Sequence, residues 1–482
     1  MLNVGLMRTN YLNMINKLTK GGPGDKFLGK GKVDTSKWFD KDKNPVLENQ
    51  IKNEEIWFCT APFQMMYTST AGELLPCSWA KEGIGPNVQN VGITEYFLKD
   101  DMLKALRTEM LTPGSDLKLA KEVCKNCRYQ EKHFGRSRRQ ASMKIQSNDK
   151  NLWPRIRDLA EAHRKDYSFD LAGRFLEVQV KAFGNQCNLD CYMCIPYDSS
   201  TRLQTINSAD LKGEKIFSKH AKTKPQVATT NTIDQVIDDI VNVAPHIYNL
   251  KLIGGEPLVM KKFYTLLEKI VESGHAKDIM LKYQTNMSVL EFEKIKISKF
   301  IPHFKLFEFT VSLDGIGKSN NYIRRRSNWE EILKNIKHVK QYPNVDVNIN
   351  GTISFLSVLR FWEMIDWFND NHDLFNQINW SNIRGPAKLC ANALPKELKD
   401  KLIPFYEGFP DIQQVLKAPA IGASSDLRDG GKKLDYQDTL DYLLMIDKKY
   451  KGTKWEMNLF EVFPELEEYH QPKDSGFDII NT

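Results

Sequence analysis

The sequence predicts an α/β protein. From Arg174 onward strand and helix signals alternate, the pattern of βα units around a parallel sheet. Two cysteine groups fix where the chemistry of such a protein lies. Cys187, Cys191 and Cys194 are spaced C-x3-C-x2-C directly after the apolar-rich run 175–183, which reads as a strand, so they leave its C-terminal end in a loop. Upstream, Cys59, Cys77, Cys124 and Cys127 form a second patterned set.

The elements follow in order. Residues 1–53 open with a short helical signal and continue through Gly21-Gly22-Pro23-Gly24 and several lysines, which predicts a flexible basic arm. Residues 54–145 form the cysteine-rich unit. Within it Phe58–Met66 and Leu74–Trp79 flank a turn at Ser69–Gly72, so the expectation is a hairpin with Cys59 and Cys77 on its two arms. A helical stretch, Asp100–Met110, precedes the Cys124-x2-Cys127 knuckle. Residues 146–173 read as a connector containing the helix Arg155–Arg164.

The βα region then spans 174–390, with further strands at 248–253, 279–284, 307–315, 345–353 and 377–383. Helices are expected at 233–243, 263–272, 329–342 and 361–368, and a polar insertion at 196–225. Residues 391–482 mix charged and apolar residues at helical spacing, as in Leu434–Lys448, and predict a helical extension.

Composition excludes some classes. Of 482 residues 41% are hydrophobic and 27% charged, ordinary for a globular protein. No apolar run approaches the roughly 20 residues of a membrane span, and Met1–Lys20 lacks the apolar core and cleavage site of a signal peptide. Seven of the eight cysteines are grouped, which suits metal ligands in a reducing interior better than a disulfide frame. The expected location is cytoplasmic. The net charge of +7 permits an anionic partner without demanding one. The basic run Arg136–Arg139 is read as a solvated face rather than a nucleic-acid site.

Thiolates as close as Cys187, Cys191 and Cys194 converge on one soft metal centre. A 4Fe-4S cube usually takes four cysteines, so three leave one iron open. A zinc site or three reduced structural cysteines are the plainer readings. The motif resembles the signature of radical S-adenosylmethionine (SAM) enzymes. One βα unit later Gly254-Gly255-Glu256-Pro257 is similar to the family motif at the end of the second strand. Thr285-Asn286-Met287 stands where relatives often have Thr-Asn-Gly.

That resemblance implies a partial (β/α)6 TIM-like barrel over 174–390. It implies an iron–sulfur cluster on Cys187, Cys191 and Cys194 whose open iron chelates SAM. Gly254, Gly255, Glu256 and Pro257 would meet its amino group, Met193 would pack on adenine, and Ser312 would contact the ribose or methionyl part. The alternative for Ser312 and Asp314 is strand-end capping. One arginine of Arg324-Arg325-Arg326 is expected to reach the SAM carboxylate. Cys390 lacks a patterned partner and is read as a plain thiol.

The upstream set, with Gly72 separated from Cys77 by four residues and then a CxxC, resembles half of the SPASM/Twitch auxiliary-cluster domain. It departs from most relatives by preceding the barrel. A structural zinc site on four cysteines is its rival. The resemblance implies one auxiliary iron–sulfur cluster, an electron donor such as a flavodoxin or ferredoxin, and a peptide or protein substrate. The alternatives are a nucleoside, RNA or small metabolite substrate docked by Arg136–Arg139, or a non-catalytic zinc-binding protein.

Overall fold

The computed structural model describes residues 58–471 apart from 113–115, 135–136, 148, 209–210, 212–215, 218–228, 384 and 419–434. The basic arm and most of the polar insertion therefore lie outside the described residues.

One sheet of eight strands runs through the protein. In chain order they are β1 (Met65–Thr68), β2 (Leu74–Leu75), β3 (Leu176–Val180), β4 (Ile247–Leu252), β5 (Met280–Thr285), β6 (Leu306–Ser312), β7 (Val345–Ile353) and β8 (Gln377–Asn382). Their spatial order is β8-β7-β6-β5-β4-β3-β1-β2. Every neighbouring pair is parallel except β1 with β2. The six strands expected in the βα region are all present; the first ends at Val180 rather than 183 and the fourth at Ser312 rather than 315, and the other bounds agree within a residue.

The two faces of the sheet differ in kind. Leu250, Leu281, Phe307 and Val345 stand in register across β4 to β7 and are buried. Helices cover this face: the Phe361 ring of the helix Ser357–Asp370 stands 5.9 Å from that of Trp380 on β8. The helices are built for it. Lys261–Glu272 buries Phe263, Leu266, Leu267 and Ile270, one stripe at helical spacing. Trp329–Val339 buries Trp329, Ile332, Ile336 and Val339, and the Asn328 side chain caps its start by accepting from the Glu331 N–H. The alternate residues, such as Lys251, Lys282 and Thr310, are polar and half-buried. A sheet with one covered face and one polar face is the observed architecture.

The cysteine-rich unit differs from its expected form. The hairpin exists, with Tyr67 opposite Leu75, but its first arm is shorter than 58–66. Ala61–Gln64 is a helical turn with Pro62 at its start. Proline donates no ladder hydrogen bond and fits a first helical turn, so Cys59 precedes the helix rather than sitting on a strand. The hairpin also joins the main sheet, β1 lying parallel to β3 from Met65↔Glu177 to Thr68↔Val180. Helices Asp101–Leu111, Lys118–Val123, Lys125–Phe134, Arg138–Ser147 and Leu152–Asp166 complete the segment that leads into β3.

The C-terminal extension is helical where described, with Lys396–Leu402, Pro410–Lys417, Tyr436–Tyr450 and Leu459–Val462. Among the described residues no helix is long and apolar enough to cross a membrane.

Candidate metal and cofactor centre

The Cys187–Cys194 loop leaves the C-terminal end of β3 and is held on every side. Beneath it lies the glycine turn after β4. The Glu256 N–H donates to the Gln186 carbonyl at 2.7 Å. Gly255 has φ +42°, and a Cβ there would stand 2.1 Å from the same carbonyl. Only a residue without a side chain lets the two backbones meet this closely. The motif's spacing one βα unit after the cysteines thus has a geometric reason.

Glu256 is 1% exposed, and its carboxylate is committed within the protein. Oε1 accepts from Thr285 Oγ1 at 2.7 Å and from the Leu258 N–H at 3.1 Å, while Oε2 accepts from the Asn286 N–H at 2.6 Å. Burial pushes its pKa up from 4.5 to about 7, against these hydrogen bonds, which favour the ionised form. Glu256 thereby ties the end of β4 to the end of β5. Pro257 begins the 3-10 turn that follows and is buried.

A second tie runs from inside the cysteine loop. Asn188 accepts from Asn286 Nδ2 at 2.9 Å and donates through its own Nδ2 to Ser288 Oγ at 2.8 Å. Between these two partners stands Met287, buried at 0% exposure with φ +58°. A methionine holds the left-handed conformation at the position where glycine stands in the resembling motif.

On the far side the loop adds a short strand. Asp190-Cys191 pairs antiparallel with Arg324-Arg325, which separates the three arginines. Arg324 places one nitrogen 2.8 Å from Asp314 Oδ2 and another 3.8 Å from Cys191 Sγ. Arg325 pairs with Asp447 and donates to the Trp455 carbonyl. Arg326 donates to the Tyr450 hydroxyl. Of the three, Arg324 alone contacts a loop cysteine.

Four residues of the site, Asp190, Arg202, Tyr442 and Tyr450, carried no sequence signal. Asp190 lies between two of the cysteines and is 0% exposed; it pairs with Arg202 at 2.9 Å and accepts from the Tyr450 hydroxyl at 2.7 Å. The Tyr442 hydroxyl donates to the Tyr192 carbonyl at 3.1 Å. Both tyrosines belong to the helix Tyr436–Tyr450, so the C-terminal extension braces the loop from outside. Met193 is buried at 8% exposure in the loop itself, and Ser312 ends β6 half-buried.

The thiols respond to this crowding. Burial pushes Cys187 up to about 12, with the neighbouring Cys191 and Glu256 adding to it. Cys194 is raised well above 9 by burial, then by Cys191 and Cys187. Cys191 is raised by burial, and Arg324 opposes the shift. Buried thiols that disfavour each other's ionisation need a cationic partner before they all become thiolates. A metal centre supplies such a charge.

The upstream cysteines are also brought together. Asn126 Nδ2 donates to the Trp79 carbonyl at 3.0 Å, joining the Cys124–Cys127 knuckle to the Cys77 loop. Arg139 donates to the Phe58 carbonyl at 3.0 Å and pairs with Glu131 at 2.9 Å. Cys124 is raised by burial first and then by Cys59, Cys77 and Cys127, so all four thiols share one neighbourhood. Gly72, with φ +82°, closes the turn beside them, and its carbonyl accepts from the Val88 N–H at 2.8 Å.

Among the described residues no group of three or more His, Cys, Asp or Glu side chains is arranged to hold a single metal ion. Arg139 is not part of the solvated face that the charge of the run Arg136–Arg139 suggested. Arg139 is 6% exposed in its pairing with Glu131, while Arg136 lies outside the described residues. Cys390 is buried, its thiol 3.3 Å from the Ile383 carbonyl.

Residues 182–360 match the family model described as the radical SAM superfamily. No curated protein matches the chain at the significance required. Among solved structures, native anSMEcpe with bound AdoMet is similar at 16% identity and a TM-score of 0.33, over 56% of this chain and 66% of that one. Native anSMEcpe with bound AdoMet and the Kp18Cys peptide aligns at 16% identity and a TM-score of 0.33, over 49% and 62%. Streptococcus suis SuiB bound to the precursor peptide SuiA aligns at 12% identity and a TM-score of 0.33, over 63% of each chain. The chain thus spans about two thirds or less of the solved structures it resembles.

Proposed function

We propose that this protein is a radical SAM enzyme acting on a peptide or protein, with an auxiliary iron–sulfur cluster. The observation that carries the reading is the contact of the C-x3-C-x2-C loop with the glycine turn at neighbouring strand ends, inside the segment that matches the family. Strand C-terminal ends are where barrels of this kind place their chemistry.

Cys187, Cys191 and Cys194 would hold the 4Fe-4S cluster, and their thiol energetics fit a cationic centre. Bound there and reduced, the cluster supplies the electron that cleaves SAM and so provides a 5′-deoxyadenosyl radical able to take hydrogen from a substrate. The chain's own residues do the positioning. Asn188 fixes the loop to the β5 end, and Asp190 fixes it to Arg202 and Tyr450. Gly254 and Gly255 bring main chain rather than side chains to the site, where it would meet the SAM amino group. Met193 and Ser312 are the proposed adenine and ribose contacts. Arg324 is the arginine proposed for the SAM carboxylate, because Arg325 and Arg326 are spent on the C-terminal extension.

Cys59, Cys77, Cys124 and Cys127 would hold the auxiliary cluster. A zinc ion needs its sulfurs about 2.3 Å from a single point, whereas a cube spreads its thiolates over separate corners. A peptide substrate suits the polar face of the sheet. Asn348 and Asn350 on β7 stand in register with Gln377 and Asn379 on β8, and carboxamides both donate to and accept from a peptide main chain.

The test is reductive SAM cleavage by the anaerobically reconstituted protein. Wild type should release 5′-deoxyadenosine with dithionite, and Cys187→Ala, Cys191→Ala and Cys194→Ala should each abolish it. A reconstituted wild type that leaves SAM intact overturns the reading.

A further inference from the structure

On the polar face of the sheet, Lys251 of β4 stands in register with Lys282 of β5. Like charges side by side on neighbouring strands are unfavourable. Lys282 has a remedy, an ion pair with Glu308 at 2.8 Å. The Lys251 ammonium has no hydrogen bond or ion pair among the described residues. Its electrostatic neighbours are Arg138, Glu177, Lys282 and Glu308, with Arg138 the strongest of them. Glu177 is engaged by the Gln179 amide, and Glu308 by Lys282. The group therefore holds three cations against two anions.

Gln179 of β3 stands in register with Lys251 on its other side. It is 1% exposed, and its Oε1 is buried with no hydrogen-bond partner. A lone ammonium beside a lone buried acceptor is a matched pair of vacant valences. A carboxylate answers the first, and an N–H of the same ligand answers the second.

We propose that Lys251, flanked by Arg138 and Gln179, is a carboxylate-binding site on the polar face, and that the substrate docks an acidic side chain or a free C-terminal carboxylate there. This rests on the reading above that a peptide lies on this face. The charge state supports it: burial, reinforced by Arg138, lowers the Lys251 pKa to about 8, so the ammonium persists at neutral pH and gains from an anion. Arg138 also lies close enough to Cys77 and Cys127 to lower their pKa values. The site thus sits beside the auxiliary cysteines.

The experiment is calorimetric titration of the full-length, reconstituted protein, with SAM present, by three N-acetylated alanine pentapeptides. One has a central glutamate and an amidated end; one has a central glutamine and a free carboxylate end; one has a central glutamine and an amidated end. At least one charged peptide should bind about tenfold or more tighter than the neutral one, and which one does so identifies the source of the carboxylate. Lys251→Met should erase the difference, and Lys251→Arg should keep it, which separates a lost site from a misfolded variant. Equal affinity for all three peptides, no binding of either charged peptide, or discrimination that survives in Lys251→Met overturns the proposal. SAM cleavage by the same wild-type preparation is read separately. Charge discrimination without cleavage sinks the radical reading alone, and cleavage without discrimination sinks this site alone.

Discussion

Glu256 shows how a motif residue can be held by the protein's own hydrogen bonds. Its carboxylate is buried and raised to about 7 from 4.5, so the folded chain holds a proton that the unfolded chain releases at lower pH. Stability from this group is complete below about 4.5 and is lost as pH rises to about 7. In the metal-free chain, wild type should lose up to about 3 kcal/mol across that window relative to Glu256→Gln. Urea unfolding at a series of pH values checks it, and a constant difference would refute it. Met287 is a second case. Its left-handed backbone costs about 1–2 kcal/mol in a non-glycine residue, but its buried side chain contributes about 1.5–3 kcal/mol before any cavity is counted. Packing wins, so Met287→Gly should destabilise by about 1–3 kcal/mol; a more stable glycine variant would show that strain dominates. The contact of the cysteine loop with the glycine pair was legible because both motifs are defined by local spacing. Asp190 and Tyr450 were not, since their hydrogen bond spans 260 residues and neither has a local pattern.

At the scale of elements, the strands of the βα region were readable because alternation and helical stripes are local. The placement of the hairpin was not. Nothing in Met65–Thr68 announces that it pairs with β3 rather than closing its own unit. The joint is specific: Thr68 Oγ1 accepts from the N–H groups of Lys181 at 3.0 Å and Ala182 at 3.2 Å, where β3 ends. Thr70 and Lys181 also meet on Asp198, beyond the cysteine loop. Thr68→Val keeps the shape and strands two buried N–H groups, which should cost about 1–3 kcal/mol in urea unfolding. A change below about 0.5 kcal/mol would mean that water or a shifted backbone satisfies them. The first arm of the hairpin was misread over 58–64 because its apolar residues suit a strand, while Pro62 turns them into a helix start. Arg139 was misread because charge alone does not reveal a partner such as Glu131.

For the molecule as a whole, the two cysteine sets flank one sheet. The downstream set lies at the end of β3; of the upstream set, Cys59 precedes and Cys77 follows the hairpin that extends the same sheet past β3, and Cys124 and Cys127 come from the helices after it. The cysteine-rich segment that precedes the βα region in sequence is thus built against that region's first strand. The helix Tyr436–Tyr450 closes the arrangement by bracing the cysteine loop from the other end of the chain. The central claim is that these are two separate iron–sulfur centres. It is tested most directly by counting iron and acid-labile sulfide in anaerobically reconstituted protein. Wild type should hold about eight irons per chain. The triple alanine variant at Cys187, Cys191 and Cys194 and the quadruple one at Cys59, Cys77, Cys124 and Cys127 should each hold about four. Zinc in place of iron, or a wild type whose iron is lost entirely in either variant, would contradict the account.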